Sequence, residues 1–324
     1  MPLALVTGAA GVMGTRLVSG LLRAGWQVRA LVLPNDPLRS RIESLGCKIR
    51  EGNVSDAATL SGLCEGVDTV YHLAAVIISH DPSVFQRVNR DGTANLVTEA
   101  ERAGVRHFIY VSSASVTYPR LTPYAQSKIE AERIVAEAHL AYTIVRPTLV
   151  YEAGGGQEIM MFLAYLRRFP VVPFIGAGRA LKRPVWSEDV ASGLLSLAGA
   201  SIALGKTYNF SGPEAISMLA LARLLLRHHE SARPILPLPV PLFRAAAHAL
   251  GYFMRRPPLT LSAIAGVVND ANLDPSLAMS DLGYHPLGVQ AGFQRCFPIQ
   301  SAALAGAPTP PTRRGPRVQK GRAT

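Results

Sequence analysis

Short apolar runs alternate with helical stretches through the first half of the chain. Leu3-Ala-Leu-Val-Thr7 is a strand-length run leading into a glycine-rich turn. The helix after it carries Leu17, Val18, Leu21 and Leu22 on one face and stops at Gly25. Val28 to Leu33 predicts the next strand, closed by Pro34-Asn-Asp-Pro37. Lys48-Ile-Arg-Glu51, Thr69-Val-Tyr-His-Leu73 and His107-Phe-Ile-Tyr-Val111 predict three more. A long helix from about Tyr124 to Ala138 precedes a strand at Tyr142 to Arg146. Strands alternating with helices of this length imply right-handed βαβ units, hence an α/β fold with a doubly wound parallel sheet.

Beyond Pro147 the pattern loosens. Gly154-Gly-Gly156 predicts a loop, Met160 to Arg168 a helix, Thr207 to Phe210 a strand, and Leu219 to His228 and Leu242 to Met254 two helices. The organisation expected is a Rossmann domain over 1–152 and a smaller, partly interleaved C-terminal substrate lobe over 153–300. Segments near 184–190 and 206–212 return to the first domain, and a disordered basic tail covers 301–324. The longest apolar stretch, Ile235 to Met254, is interrupted by Pro237, Pro239, Pro241, Arg244 and His248. It therefore does not read as a transmembrane span, and a buried lobe helix is expected in preference to one lying on a surface.

Composition narrows the function classes. Of 324 residues 48% are hydrophobic and 17% charged, enough for a sizeable core. The first strand begins almost at once, which leaves no room for a signal peptide. Cys47, Cys64 and Cys296 form no CxxC or Cys/His cluster, so neither disulfides nor structural zinc are expected, and a reducing, cytoplasmic setting fits. The net charge of +11 suggests nucleic acid until it is located. The tail holds Arg313, Arg314, Arg317, Lys320 and Arg322, and the remaining excess is scattered without interleaved aromatics, so no nucleic-acid site is expected. His228-His229-Glu230 lacks the i,i+4 spacing of helical zinc ligands and reads as a polar helix end.

The turn Thr7-Gly8-Ala-Ala-Gly11-Val12-Met13-Gly14 lies between a strand and a helix, where glycines let the backbone approach a pyrophosphate and helix N–H groups meet its charge. Tyr124-Ala-Gln-Ser-Lys128 puts a phenol and an ammonium on one helical face, and Ser112-Ser113-Ala-Ser115 follows a strand. A phenol near pKa ~10 needs a cationic neighbour to serve as a base, and Lys128 provides one. These ordered motifs resemble the extended short-chain dehydrogenase/reductase superfamily, the NAD-dependent epimerase/dehydratase family. The resemblance runs from Leu3 to about Val190 and returns at Asp281-Leu-Gly-Tyr-His-Pro286.

The resemblance implies a catalytic trio of Tyr124, Lys128 and Ser113, with Ser115 a substitute and Ser112 satisfying backbone groups. It implies a dinucleotide site at Gly8, Gly11, Val12, Met13, Gly14, Asn53, Val54, Leu73, Ala74, Ala75, Asn89, Tyr124 and Lys128. His72 reads as a packed strand residue rather than a proton shuttle. Asn53 stands where the family usually has an Asp near the adenine. Val32 and Leu33 occupy the place of the ribose-binding acid, with Asp36 in the turn beyond, while Arg29, Arg39 and Arg41 could serve a 2′-phosphate; of NAD and NADP, the sequence leans to NADP. Ser113, Thr148 and Arg183 are the expected substrate contacts. Thr148 stands in place of the family's substrate asparagine, Arg183 is the candidate for a substrate phosphate, and Asp189 reads as structural. Ala114 and Ser115 replace the acid pair of the family's dehydratases, which argues against dehydration.

The expected function is NAD(P)-dependent epimerisation or reduction at a secondary alcohol or ketone, with a nucleotide sugar as the first substrate class. A sterol-like or polyprenyl alcohol and a non-catalytic dinucleotide-binding subunit are the alternatives. The small-molecule substrate is the expected partner. A homodimer through the helices after Asn89 and Tyr124 is a further expectation from the resemblance.

Overall fold

The apolar runs become strands of one parallel sheet. The computed structural model describes residues 1–152, 156–229 and 231–296. Seven strands, β1 (Leu3–Thr7), β2 (Gln27–Val32), β3 (Lys48–Glu51), β4 (Thr69–His72), β5 (His107–Val111), β6 (Tyr142–Pro147) and β7 (Lys206–Phe210), form the sheet. Their spatial order is β7-β6-β5-β4-β1-β2-β3. Every pairing within it is parallel. β4 and β5 are buried at every residue, as strands covered on both faces must be. The winding reverses between β1 and β4, where Thr7 lies beside His72, so a crevice opens at their carboxyl ends.

Side-chain alternation along β1 feeds two cores. Ala4 and Val6 join Leu17, Val18 and Leu21 of α1 (Val12–Arg23) on one face. Leu5 joins Leu96 and Val97 of α2 (Gly92–Arg102), and Ala131 and Val135 of α3 (Pro123–Glu137), on the other. Just before α2, Gln86–Asp91 winds as a π-helix, a widening that no sequence pattern announced.

The second half supplies β7 and a lobe. α4 (Gln157–Leu166) opens three residues earlier than expected, directly after Gly156. The rest of the glycine loop, Ala153 to Gly155, together with Glu230 and the tail from 301, lies outside the described residues. α5 (Ser187–Ser196) packs on α1, where the missing side chain of Gly20 admits Leu195. α4 and α6 (Met218–His228) share a core of Leu163, Phe174, Leu221, Leu225 and Phe293. The Asp281 motif closes the sheet edge. Asp281 Oδ2 takes Lys206 Nζ at 2.7 Å and Tyr208 hydroxyl at 2.8 Å, and Tyr284 stacks on Phe210.

The expectation of a buried helix across Ile235 to Met254 is corrected. Ile235–Leu238 is a strand paired in parallel with Val172–Ile175. α7 (Val240–Phe253) then buries only Phe243 and Ala247, against Ile175 and Ile264 of α8 (Leu261–Val268). The stretch is apolar nearly all round, so its composition could not say which face the small lobe core would cover.

Candidate active site

At the glycine turn the sheet leaves room where side chains would collide. Gly8 adopts φ +65°, and a Cβ there would lie 2.8 Å from the Ala74 nitrogen; at Gly14 it would lie 2.2 Å from the Gly8 oxygen. Gly11 caps α1 without a side-chain hydrogen bond, and the first turn carries no acid. The N–H groups at Val12 and Met13 are thus left for an anion, which is the fit a dinucleotide pyrophosphate requires. Ala74 N donates to Thr7 Oγ1 at 3.1 Å and Leu73 N to Thr7 O at 3.3 Å, so Leu73, Ala74 and Ala75 wall the crevice from the β4 side.

Asn89 is buried and fixes that wall. Its Oδ1 accepts from Val76 N at 2.8 Å, while Nδ2 donates to Val76 O at 2.9 Å and to Ser127 Oγ at 3.1 Å. Next to it runs a closed chain. Thr93 donates to Asn89 O at 2.6 Å, so His72 Nε2 must donate to Thr93 Oγ1, leaving Nδ1 to accept from Thr7. Burial and the Lys128 charge push His72 down to about 3, so it is neutral and structural. Asn53 Oδ1 accepts from both Ser55 N and Ser55 Oγ, which leaves its amide donors for an adenine edge. Val54, buried, packs against Gly92.

Of the arginines considered for a 2′-phosphate, Arg29 is held by the Leu63 and Glu65 carbonyls. Arg39 pairs with Glu43 and Glu51, and Arg41 stands on the same exposed turn beyond β2. Asp36 is occupied in its own turn, accepting from Leu38 N at 2.8 Å.

Thr122 caps α3, and Pro123 starts it, so Tyr124 and Lys128 project one turn apart beside the end of β5. Lys128 is only 2% exposed, donates to Val111 O at 2.7 Å and lies 4.3 Å from the centre of the Tyr110 ring. Burial pushes its ammonium down to about 7, against the pull of Glu132. Tyr124 is half-buried, and withdrawal from water raises its phenol, with the Glu158 charge adding and Ser113 opposing. Ser113 Oγ accepts from Ser115 N at 3.2 Å and Ser115 Oγ at 3.0 Å, which leaves its own proton directed at the Tyr124 hydroxyl. Ser115 thus lies against Ser113 and supports its hydroxyl. Ser112 departs from its expected role, since its buried hydroxyl has no partner among the described residues.

The two further expected substrate contacts each have partners within the lobe and the sheet edge. Arg183 donates from Nε to Asn272 Oδ1 at 2.7 Å and from Nη1 to Pro213 O at 2.7 Å and Gly212 O at 3.3 Å, which ties one edge of its guanidinium to the lobe. Thr148 is buried and donates to Arg183 O. Asp189 accepts from Leu287 N at 2.9 Å, a lobe-closing contact.

Sequence reading missed several neighbours. Glu132 grips Arg146 with two hydrogen bonds, at 2.9 and 2.5 Å, joining α3 to β6. Its i+4 spacing from Lys128 was the available signal. Glu158 at the start of α4 acts electrostatically on Tyr124 and Tyr118, and buried Lys182 lies 5.6 Å from the centre of the Tyr118 ring. No local pattern links those residues. Among the described residues no group of three His, Cys, Asp or Glu could hold a metal.

A family profile described as NAD(P)H-binding matches residues 8–164. The chain is similar to a ceramide reductase of Caulobacter vibrioides, 33% identical over 191 residues and 59% of each chain. It thus spans under two thirds of that relative's length. A 3 beta-hydroxysteroid dehydrogenase/Delta 5-->4-isomerase of Mycobacterium tuberculosis is 28% identical across 91% of this chain and 89% of its own. A dTDP-glucose 4,6-dehydratase from Streptomyces venezuelae, solved with NAD bound, shares the fold. Its TM-score is 0.71 at 22% identity, covering 91% of this chain and 95% of that one. In its ordered motifs and its fold the chain is similar to enzymes of the extended short-chain dehydrogenase/reductase kind, and residues 8–164 match the NAD(P)H-binding family.

Proposed function

We propose that this short-chain dehydrogenase/reductase interconverts a ketone and a secondary alcohol on an apolar, lipid-like substrate, with NADP as cofactor and residues 153–300 as the substrate lobe. The observation that carries the substrate class is the engagement of Arg183. Its guanidinium is tied to the lobe through Nε and Nη1 by Asn272, Gly212 and Pro213, which supports a substrate that needs no phosphate contact from it. Thr148, in the place of a sugar-binding asparagine, is likewise committed. Relatives named for ceramide and for a steroid support the same direction. NADP is favoured because Val32 and Leu33 offer the ribose no carboxylate, Asp36 is engaged, and Arg41 stands beyond β2.

The bound cofactor supplies or takes the hydride; the chain handles the proton and the oxygen. Tyr124, with its phenol raised, holds a proton at neutral pH and donates it to the carbonyl oxygen, which favours reduction. Ser113, its lone pairs taken by Ser115, donates a second hydrogen bond to the same oxygen. Lys128 beside the phenol favours the phenolate left behind, and Glu132 sustains its charge. Asn89 holds the wall at Val76 and, through Ser127, the first turn of α3.

The test is incubation with NADPH or NADH and two panels, lipid ketones and sugar nucleotides, with product masses read out. A lipid product heavier by two hydrogens, formed with NADPH, is expected. A sugar nucleotide returned at unchanged mass as its epimer would overturn the proposal.

A further inference from the structure

The hairpin of α7 and α8 leaves large apolar side chains outside. Tyr252 is 86% exposed and Phe253 80%, and their rings meet edge to face. One helical turn after another along α7, Leu242, Ala245 and Ala249 continue the exposed stripe that ends at these rings. The side turned inward contributes only Phe243 and Ala247 to a small core. An exposed stripe of this kind marks a surface that something covers.

Charge identifies the cover. Arg244, Arg255 and Arg256 are exposed around the stripe, and between residues 231 and 269 the sequence contains no Asp or Glu. A two-fold contact with a second copy would bring these arginines against one another. A bilayer bearing anionic headgroups complements them instead and takes Tyr252 and Phe253 at the interface, where aromatic rings partition. Among the described residues no helix is long and apolar enough to cross a membrane.

We propose that the α7–α8 hairpin seats the enzyme on the surface of an anionic membrane, with Tyr252 and Phe253 inserted among the headgroups and Arg244, Arg255 and Arg256 paired with lipid phosphates. The inference rests on this surface alone and stands whichever substrate the active site takes. It gives the protein a route to a water-insoluble substrate without a spanning segment.

The full chain is centrifuged with vesicles of phosphatidylcholine alone or of phosphatidylcholine with phosphatidylglycerol. The wild type is expected to sediment with the phosphatidylglycerol vesicles and far less with phosphatidylcholine, and to be released in part by salt. The double variant Tyr252→Ser/Phe253→Ser should lower the bound fraction about tenfold, and Arg255→Gln/Arg256→Gln should remove the lipid preference. Both variants should bind cofactor as the wild type does, which shows that they fold. Because the tail from 307 is itself basic, loss in these hairpin variants, and not binding alone, carries the proposal. In Phe253→Trp the indole emission should shift to the blue on the same vesicles. Binding equal in the wild type and both variants, or no binding, would overturn the inference. So would a dimer in lipid-free solution that the Tyr252→Ser/Phe253→Ser pair abolishes, since a second copy would then be the cover.

Discussion

α3 and α7 are helices of similar length, 15 and 14 residues, with opposite habits. α3 buries polar side chains, and Ser127, Lys128 and Glu132 each have a hydrogen-bond partner. α7 exposes apolar ones, and its terminal rings touch chiefly each other. A polar group taken out of water costs free energy unless a partner replaces the water, so a fully partnered polar interior is a positioned one. An apolar group left in water carries no such constraint on direction and instead marks a face made to be covered. The proposed chemistry draws on the first helix, the proposed membrane contact on the second.

Substitutions can break this contrast at either end. The largest effect is expected beneath the cofactor. Gly14→Val places a side chain where even Cβ would stand 2.2 Å from the Gly8 oxygen, so NADPH binding measured by fluorescence titration should be lost. Lys128→Met should lower kcat/KM by about 10²–10³, since both the proton transfer and the cofactor contact assigned to it are lost. An equally apolar change on the outer face of α7, Leu242→Ala, should leave kcat/KM with a water-soluble substrate unaltered. Ser113→Ala should reduce kcat by about 10²-fold, since one of two donors to the reacting oxygen goes. Glu132→Gln removes the charge that holds Arg146 and should lower stability by about 2 kcal/mol in urea unfolding, the pair being largely but not wholly buried.

Acid sharpens the contrast from the buried side. His72 is held near 3 and His107 near 4, both by burial. Below about pH 6.5 the unfolded chain takes up protons that the folded one refuses, so stability should fall as pH drops from there toward 4. The urea midpoint should be flat between pH 7 and 8 as far as these two groups are concerned. His107→Gln should weaken the acid dependence.

The sheet was legible because each strand is a short apolar run bounded by turn residues, and β1, β4 and β5 differ little from the expected limits. The glycine turn and the Tyr124/Lys128 spacing were legible because each encodes its own geometry. What could not be read was orientation across long sequence distances. The lobe partners of Arg183 were hidden because Asn272 and Pro213 lie far along the chain, and Ser112 looked satisfied because strand ends usually are. The uncovered face of α7 was hidden for a related reason: apolar composition reports a tendency to be covered, not what does the covering.

The most direct measurement is steady-state turnover of Tyr124→Phe on whichever lipid ketone the wild type reduces, with NADPH affinity measured on the same preparation. Turnover reduced by about 10³-fold or more with cofactor binding intact is predicted, because the phenyl ring keeps the packing against Phe85 and loses only the proton donor. Turnover close to wild type would contradict the account, since the proton would then come from another group.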